Sequence, residues 1–163
     1  MEDLFFWLTA VVVLVIDQST KYLVQHNMVE LQSIPLIRDI FHLTYVLNPG
    51  AAFGMLPYKT LFFTAIALIM LLVIYLLYRR VPPEQVANKV ALGLLAGGAL
   101  GNLIDRLRFA RVVDFFDLRF FSVFNVADIA ITFGVGILLL GMALQEWKEL
   151  QERKERGDSH EEG

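Results

Sequence analysis

Cysteine is absent from the 163 residues of this sequence. Its absence excludes a disulfide framework, a thiolate metal site and a cysteine nucleophile. Charge is scarce as well, because charged residues make up 19% of the chain, against about 25% in an average soluble domain. The net charge is −3 and no long basic stripe occurs, so a nucleic-acid partner is not expected.

The sequence also lacks the motifs of several common hydrolases and cofactor-binding folds. The three histidines show no His-Glu-x-x-His spacing, which argues against a zinc protease. No serine lies in a Gly-x-Ser-x-Gly motif, and no glycine-rich phosphate loop occurs. We therefore expect neither a metal site nor a cofactor.

Apolar residues are abundant instead, at 56% of the chain, with a mean hydropathy of +0.57. Residues 60–78 run for 19 positions without a charge, and residues 129–145 for 17. Since a bilayer core about 30 Å thick requires about 20 apolar helical residues, both runs predict membrane spans. Two shorter runs, at 4–16 and 90–104, reach spanning length if the polar residues that follow them lie inside the protein or at the membrane interface.

The sequence thus predicts an α-helical membrane protein, a four-transmembrane-helix bundle that forms one membrane domain over residues 1–163. A small extramembrane β-element is expected at about 28–56, between spans 1 and 2. Within it, residues 41–47 are rich in β-branched and aromatic side chains, and Asn48-Pro49-Gly50 favours a turn. The tail, 146–163, is expected to begin as a helix and to end as a solvated polar terminus. The expected spans are 4–24, 59–78, 89–107 and 125–145.

The first span is expected to be retained rather than cleaved as a signal peptide. It follows the acidic Glu2 and Asp3, and no small-x-small site comes after the apolar run. Four spans place both termini on one side of the membrane. Lys and Arg number seven on each side of the predicted bundle, so the positive-inside rule does not choose the orientation. The tie indicates that one side carries basic residues for a reason other than topology.

Glycine recurs in span 3, at positions 93, 97 and 101. This spacing aligns small residues on one helix face, where a neighbouring helix can approach closely. We predict that the glycine face packs against another span.

Charged and polar residues interrupt the first and third spans. An ionisable side chain at the centre of a spanning helix costs about 2.5–3.5 kcal/mol on insertion scales, and such residues usually face the bundle interior and mark functional sites. Asp17 and Lys21 are four residues apart, and Asn102 and Arg106 repeat that spacing, so each pair shares a helix face. Each pair is consistent either with a buried polar site or with a helix end at the membrane interface.

Two further acids follow the third span. Asp114 lies in an apolar, strand-like run, where an acid is costly unless it is paired or protonated. Asp128 opens the fourth span with Asn125 three residues before it, which is also what a helix N-terminus requires. If Asp114 and Asp128 meet across the turn between them, two carboxyls in one site would provide an acid and a base, as in an aspartic protease.

Five motifs, taken together, resemble those of the signal peptidase II (lipoprotein signal peptidase) family. Each motif is weak alone, but five in the family's order, from the first span to the last, are specific. Pro49 departs from the pattern, because a more variable and often bulkier residue is expected there. The motifs are Asp-Gln-Ser-Thr-Lys at 17–21, Asn-Pro-Gly-Ala-Ala-Phe-Gly at 48–54, Gly-Gly-Ala-Leu-Gly-Asn-Leu-Ile-Asp-Arg at 97–106, Val-Val-Asp-Phe at 112–115 and Phe-Asn-Val-Ala-Asp at 124–128.

The resemblance implies an intramembrane aspartyl endopeptidase of the bacterial cytoplasmic (inner) membrane, which removes the signal peptide from prolipoproteins. Cleavage would occur just before a cysteine that already carries a diacylglyceryl group, and membrane lipid and a globomycin-type inhibitor are further expected partners. The termini would be cytoplasmic, and the active site would lie near the outer (periplasmic) face. The resemblance places the catalytic pair at Asp114 and Asp128. The residues that line or support the site would be Asp17, Lys21, Asn48, Gly50, Asn102, Arg106 and Asn125.

One alternative stays open at this point. A non-enzymatic polytopic membrane protein, such as a transport or assembly factor, would also carry intramembrane charges, which would form a polar path. Hydrolysis of a lipidated prolipoprotein distinguishes the two classes. Asp117 is close to Asp114 but lies outside the motifs, and we expect it not to belong to the catalytic pair.

Overall fold

The computed structural model describes residues 3–50, 60–82 and 84–161, with side chains as far as residue 153. Residues 51–56, which end the predicted β-element and include part of the second motif, lie outside the described residues. The described chain forms helices and strands in the following order: α1 (Leu4–Asn27), β1 (Ser33–Ile37), β2 (Phe41–Asn48), α2 (Thr60–Tyr78), α3 (Val86–Phe109), β3 (Val112–Asp117) and α4 (Val126–Glu161).

All four helices are long and apolar enough to cross a membrane, which confirms the predicted fold class. They differ in how much of their surface the protein itself covers. Only 11% of the most apolar stretch of α2 is buried within the protein, so most of this uniformly apolar helix faces lipid. In α3 the buried share is 67%. The third span is therefore the central helix, and the other three pack around it.

The fourth helix continues well beyond the predicted span. The sequence predicts that the span ends at residue 145 and that the tail, 146–163, begins as a helix and ends as a polar terminus. In the structure α4 runs to Glu161. Residues 146–161 are rich in Glu, Gln, Lys and Arg, which are strong helix formers. One turn is also joined by a hydrogen bond, which Gln145 Nε2 donates to Glu149 Oε1 at 3.3 Å. These features account for the continuation of α4 past the predicted span.

The glycine face of α3 is a packing surface, as predicted. A Cβ atom on Gly97 would lie 2.6 Å from the carbonyl oxygen of Ala10 on α1, and Gly93 meets α1 in the same way one turn earlier. Gly98 points to the other neighbour, since a Cβ there would lie 2.6 Å from the carbonyl oxygen of Ala127 on α4. Real Cβ atoms do not approach backbone this closely, so glycine is what allows three helices to converge near these positions.

The sheet is antiparallel, with strand order β1-β2-β3. The predicted strand at 41–47 is present as β2. The third strand comes from the connection between α3 and α4, and sequence reasoning recognised it as strand-like without assigning it to this sheet. Val46 pairs with Asp114, and Asn48 pairs with Val112. The pairing therefore brings the α1–α2 connection beside the segment that carries Asp114.

An apolar cluster fixes the sheet to the end of α1. Val24 and Met28 from this end pack with Tyr45 of β2 and with Val113 and Phe115 of β3, and all five are buried. Burial of such side chains contributes about 1.5–3 kcal/mol each. The cluster fixes the position of β3 relative to the end of α1, and β3 carries Asp114.

Replacing Gly97 with alanine is expected to destabilise the bundle by about 1–3 kcal/mol, because the new methyl group would press on the α1 backbone. Gly136 on α4 is the matched control, since a Cβ there meets nothing within 4 Å. Gly136→Ala should leave stability unchanged or raise it by up to about 1 kcal/mol through helix propensity. Both are measured by unfolding in detergent micelles, and equal effects of the two substitutions would contradict the close α1–α3 packing.

Candidate active site

Asp114 lies on β3 with its side chain almost completely buried, at 3% exposure. Two amides donate to its carboxyl group: Asn125 Nδ2 to Oδ1 at 2.7 Å and Asn48 Nδ2 to Oδ2 at 2.9 Å. Burial, followed by the nearby charge of Asp128, raises the pKa of Asp114 to about 7, although the two amides act in the opposite direction. At neutral pH the protonated and the ionised forms of this carboxyl group are therefore present in similar amounts.

Asp128 occupies the first turn of α4 and forms a reciprocal cap with Asn125. The Asn125 backbone N–H donates to Asp128 Oδ2 at 3.2 Å, and the Asp128 backbone N–H donates to Asn125 Oδ1 at 3.1 Å. This is a capping box, so the interpretation of these residues as a helix start is correct. The Asn125 side-chain amide still donates to Asp114. Asn125 therefore both caps α4 and connects the two aspartates.

Asn102 of α3 is the second connection between the acids. Its Nδ2 donates to Asp128 Oδ1 at 2.9 Å. Its Oδ1 accepts from Lys21 Nζ at 3.0 Å and from Asn125 Nδ2 at 3.1 Å. Because Lys21 offers only donors, the Asn102 oxygen must face it, and the amide nitrogen must then face Asp128. The orientation of this amide is thus set by the lysine.

Lys21 is itself buried, at 2% exposure, between two carboxylates. Its Nζ lies 2.9 Å from Asp17 Oδ2 and 3.0 Å from Asp105 Oδ2. Each acid also accepts a backbone N–H from a different element: Asp17 from Ala127 at the start of α4, at 2.9 Å, and Asp105 from Val113 of β3, at 3.0 Å. The predicted Asp17–Lys21 pair therefore belongs to a larger network that joins α1, α3, β3 and α4.

A cavity of about 280 Å³ opens in front of the two acids. Arg106 lies at its wall, where Nη1 is 3.4 Å from the Asn102 carbonyl oxygen and the guanidinium carbon is 5.6 Å from the Phe63 ring centroid. The Gly50 N–H donates to Asn48 Oδ1 at 3.0 Å and turns the chain beside the cavity. Of the predicted site residues, those that line the cavity are Asn48, Gly50, Asn102, Arg106, Asp114 and Asp128.

The remaining predicted residues, Asp17, Lys21 and Asn125, are buried behind this wall. All nine predicted residues therefore come together at one end of the bundle. Within the described ranges, no group of His, Cys, Asp or Glu is arranged to hold a metal ion. The chemical content of the site is thus two carboxyls in one cavity, two bridging amides and one arginine.

These features can be set beside known proteins. The model of a protein family described as Signal peptidase (SPase) II matches residues 9–144. This chain belongs to the signal peptidase II family. The matched region runs from the first span through the fourth, and it contains every residue of the site.

Relatives and solved structures agree with this assignment. The chain is 53% identical to the lipoprotein signal peptidase of Moorella thermoacetica over 82% of this chain and 89% of that protein. It is 44% identical to that of Pelotomaculum thermopropionicum, over 94% and 99%. A solved structure described as a bacterial membrane enzyme superposes with a TM-score of 0.80 at 35% identity, covering 85% of this chain and 87% of that one. As a member of the signal peptidase II family, the chain is a multi-pass membrane hydrolase of the aspartic peptidase type.

Sequence reasoning missed some members of the site of this signal peptidase II chain. Asp105 was not assigned a supporting role, although an acid one turn after Asn102 in a spanning helix requires a partner. Gln18 was also passed over, yet its Nε2 donates to Asp105 Oδ1 at 3.1 Å and to the Gly101 carbonyl oxygen at 3.2 Å. The cavity wall also includes residues 121–123, which lie outside the five motifs, and Phe124, which opens the fifth motif but was not assigned to the site.

Asp117 has a separate, local role. It accepts from the Thr44 hydroxyl at 2.8 Å and from the Arg119 backbone N–H at 2.8 Å, and it does not line the cavity. Burial acts to raise the pKa of Asp117, but the hydrogen bonds from Arg119 and Thr44 outweigh it and lower the pKa. Asp117 therefore fixes the turn after β3 as a carboxylate.

Replacing Lys21 with methionine is expected to cost about 3–5 kcal/mol of stability, because it leaves Asp17 and Asp105 buried without a counter-ion. Arg111→Met is the matched control. Arg111 Nη1 lies 3.9 Å from Glu30 Oε1 with both side chains nearly half exposed, and such pairs contribute about 1 kcal/mol or less. Unfolding in detergent measures both. If the Lys21→Met protein were as stable as the Arg111→Met protein, the buried network would not stabilise the fold as proposed.

Proposed function

We propose that this chain cleaves prolipoproteins just before a diacylglyceryl-modified cysteine, with Asp114 and Asp128 as its catalytic pair. Family membership makes the chain a peptidase that removes signal peptides from prolipoproteins. The observation that carries the residue assignment is that Asp114 and Asp128 line the same cavity and are connected through Asn102 and Asn125. Membership of an enzyme family also removes the grounds for the alternative, a non-enzymatic transport or assembly factor.

The two carboxyls occupy different environments, and this supports different roles for them. Asp114 is buried and has a pKa of about 7, which suits a carboxylic acid that holds a proton. Asp128 is partly exposed and lies in the first turn of a helix, where the helix dipole favours a negative charge. We assign Asp114 as the general acid and Asp128 as the general base.

The reaction then follows the usual logic of paired carboxyls. Asp128 takes a proton from a water molecule, and the resulting hydroxide attacks the scissile carbonyl carbon. Asp114 donates its proton to the carbonyl oxygen as the tetrahedral intermediate forms. Asp128 then donates the proton that it took from water to the amide nitrogen, and Asp114 takes back a proton from a hydroxyl group of the intermediate. The C–N bond breaks, which releases the new amino terminus of the lipidated cysteine. Arg106, at the cavity wall, is placed to stabilise the negative charge that develops on the carbonyl oxygen before the proton from Asp114 arrives.

The direction of the helices supports an orientation for the chain. α1 runs toward the sheet and α4 runs away from it, so the start of α1 and the end of α4 lie at the end of the bundle opposite the site. We propose cytoplasmic termini and a site near the outer face of the bacterial cytoplasmic membrane, where a membrane-anchored substrate presents its cleavage sequence. A globomycin-type cyclic peptide is proposed to occupy the same cavity and to compete with the substrate.

Asparagine at position 114 or 128 is expected to lower the rate of cleavage by about 10²–10⁴-fold, because each variant lacks one of the two groups that transfer protons. The assay is a gel shift with purified protein and a lipidated prolipoprotein. Asp117→Asn is the matched control, and most activity should remain. An inactive Asp117→Asn together with an active Asp114→Asn would reverse the assignment.

The pKa of Asp114 predicts the pH dependence of cleavage. Below pH 7 the carboxyl is protonated and is able to act as the acid, and above pH 7 the proton is lost. The rate is therefore expected to fall about tenfold per pH unit on the alkaline side. Asn48→Leu removes a hydrogen bond that favours the charged form of Asp114, so its alkaline limb should move to higher pH. An alkaline limb that is identical in this variant would argue against Asp114 as the titrating acid.

A further inference from the structure

A second recess adjoins Asp128. It is an apolar groove of about 350 Å³, bounded by the loop after β3 and by the first turns of α4. Phe121, Phe124, Asp128 and Thr132 line both this groove and the cavity described above. We call it the phenylalanine groove, and the residues that line it alone are Leu118, Phe120, Ile129 and Phe133.

The groove leads from the catalytic pair into the apolar span. Asp128 marks its upper end and Phe133 its lower end, and at 1.5 Å per residue the two are separated by about 7.5 Å along the helix axis. The rings of Phe120 and Phe133 are 78% and 64% exposed. Because α4 is a membrane span, this wall of the groove opens toward lipid rather than toward water.

The shared walls restrict what the groove can hold. Its occupant must have one end beside Asp128, where the peptide bond is cleaved, and must be apolar over the rest of its length. An unbranched hydrocarbon chain attached next to the scissile bond meets both conditions.

We propose that the phenylalanine groove binds one acyl chain of the diacylglyceryl group on the substrate cysteine. This inference rests on the proposed function, because it requires that the substrate is lipidated beside the cleaved bond. Hydrocarbon transfers from the bilayer to the groove with little hydrophobic gain, since lipid tails are as apolar as the side chains. The groove therefore acts by shape and position, and the expected effects on KM are a few-fold rather than many orders of magnitude.

The first experiment compares substrate peptides that carry two hexadecanoyl or two hexanoyl chains, in nanodiscs of fixed lipid composition. The wild type is expected to show a KM about fivefold lower for the long chains. Ile129→Trp fills the groove from α4, and the ratio of the two KM values should fall to about one. Leu139→Trp is the matched control, since Leu139 is 60% exposed on α4 but does not line the groove. It should keep the wild-type ratio.

Three results of this comparison would overturn the proposal. A fivefold ratio that is retained in Ile129→Trp would mean that no acyl chain lies beside that residue. An equal rise in KM for both substrates would instead indicate that the groove receives the peptide part of the substrate. The absence of any chain-length preference in the wild type would exclude the proposal as well.

The second experiment measures binding without cleavage, so its result tests the groove even if the proposed reaction does not occur. Asp114→Asn protein is mixed with a peptide whose cysteine carries an acyl chain ending in a diazirine, and the photo-crosslinks are mapped by mass spectrometry. Crosslinks to Phe120, Ile129 or Phe133, lost on adding Ile129→Trp, support the groove. Crosslinks elsewhere only, or equal labelling of the groove by a diazirine phospholipid, overturn it. Failure of the wild type to cleave any lipidated peptide would overturn the proposed function separately.

Discussion

The ammonium group of Lys21 is the one charge on which the rest of the site depends. It lies within 3.0 Å of Asp17, Asp105 and Asn102, and these three residues connect it to the first turn of α4 and to the start of β3. Through Asp17 it holds the start of α4, through Asp105 the start of β3, and through Asn102 the carboxyl of Asp128. A buried ion pair is favourable only when its remaining donors and acceptors are satisfied. Here they are satisfied by the backbone of the elements that carry the two acids.

Close helix packing is what makes this network possible. A Cβ atom on Gly101 would collide with the Asp17 carboxylate. Gly101, the last glycine of the packing face, therefore leaves the space that the Asp17 side chain occupies. The small residues of α3 thus have two functions, as a packing surface near the middle of the bundle and as space for buried charge at the end that carries the sheet. A substitution that separates α1 from α3 is expected to disturb Asp128 indirectly, without any contact with it.

Much of this arrangement was predictable from the sequence because its signals are local. Uninterrupted apolar runs, the Asp17–Lys21 spacing and the strand-like character of 41–47 each depend on a few neighbouring residues. The addition of β3 to the sheet and the partnership of Asp105 depend on contacts between segments about 65 to 85 residues apart, which periodicity does not report. The end of α4 had no comparable signal, because its polar end has high helix propensity but no apolar face. Asn125 shows that two interpretations of one motif need not compete, since it caps α4 and also binds Asp114.

The spacing of Asp17 and Lys21 also bears on how the first span is accommodated in the bilayer. These residues face each other one turn apart on a single helix, so α1 contains a counter-ion for Lys21 within its own sequence. A neutralised pair costs less free energy to place in a bilayer than a lone charge does. α1 therefore needs no other helix to neutralise its lysine, and the contacts with α3 and α4 are added to a pair that the helix already contains.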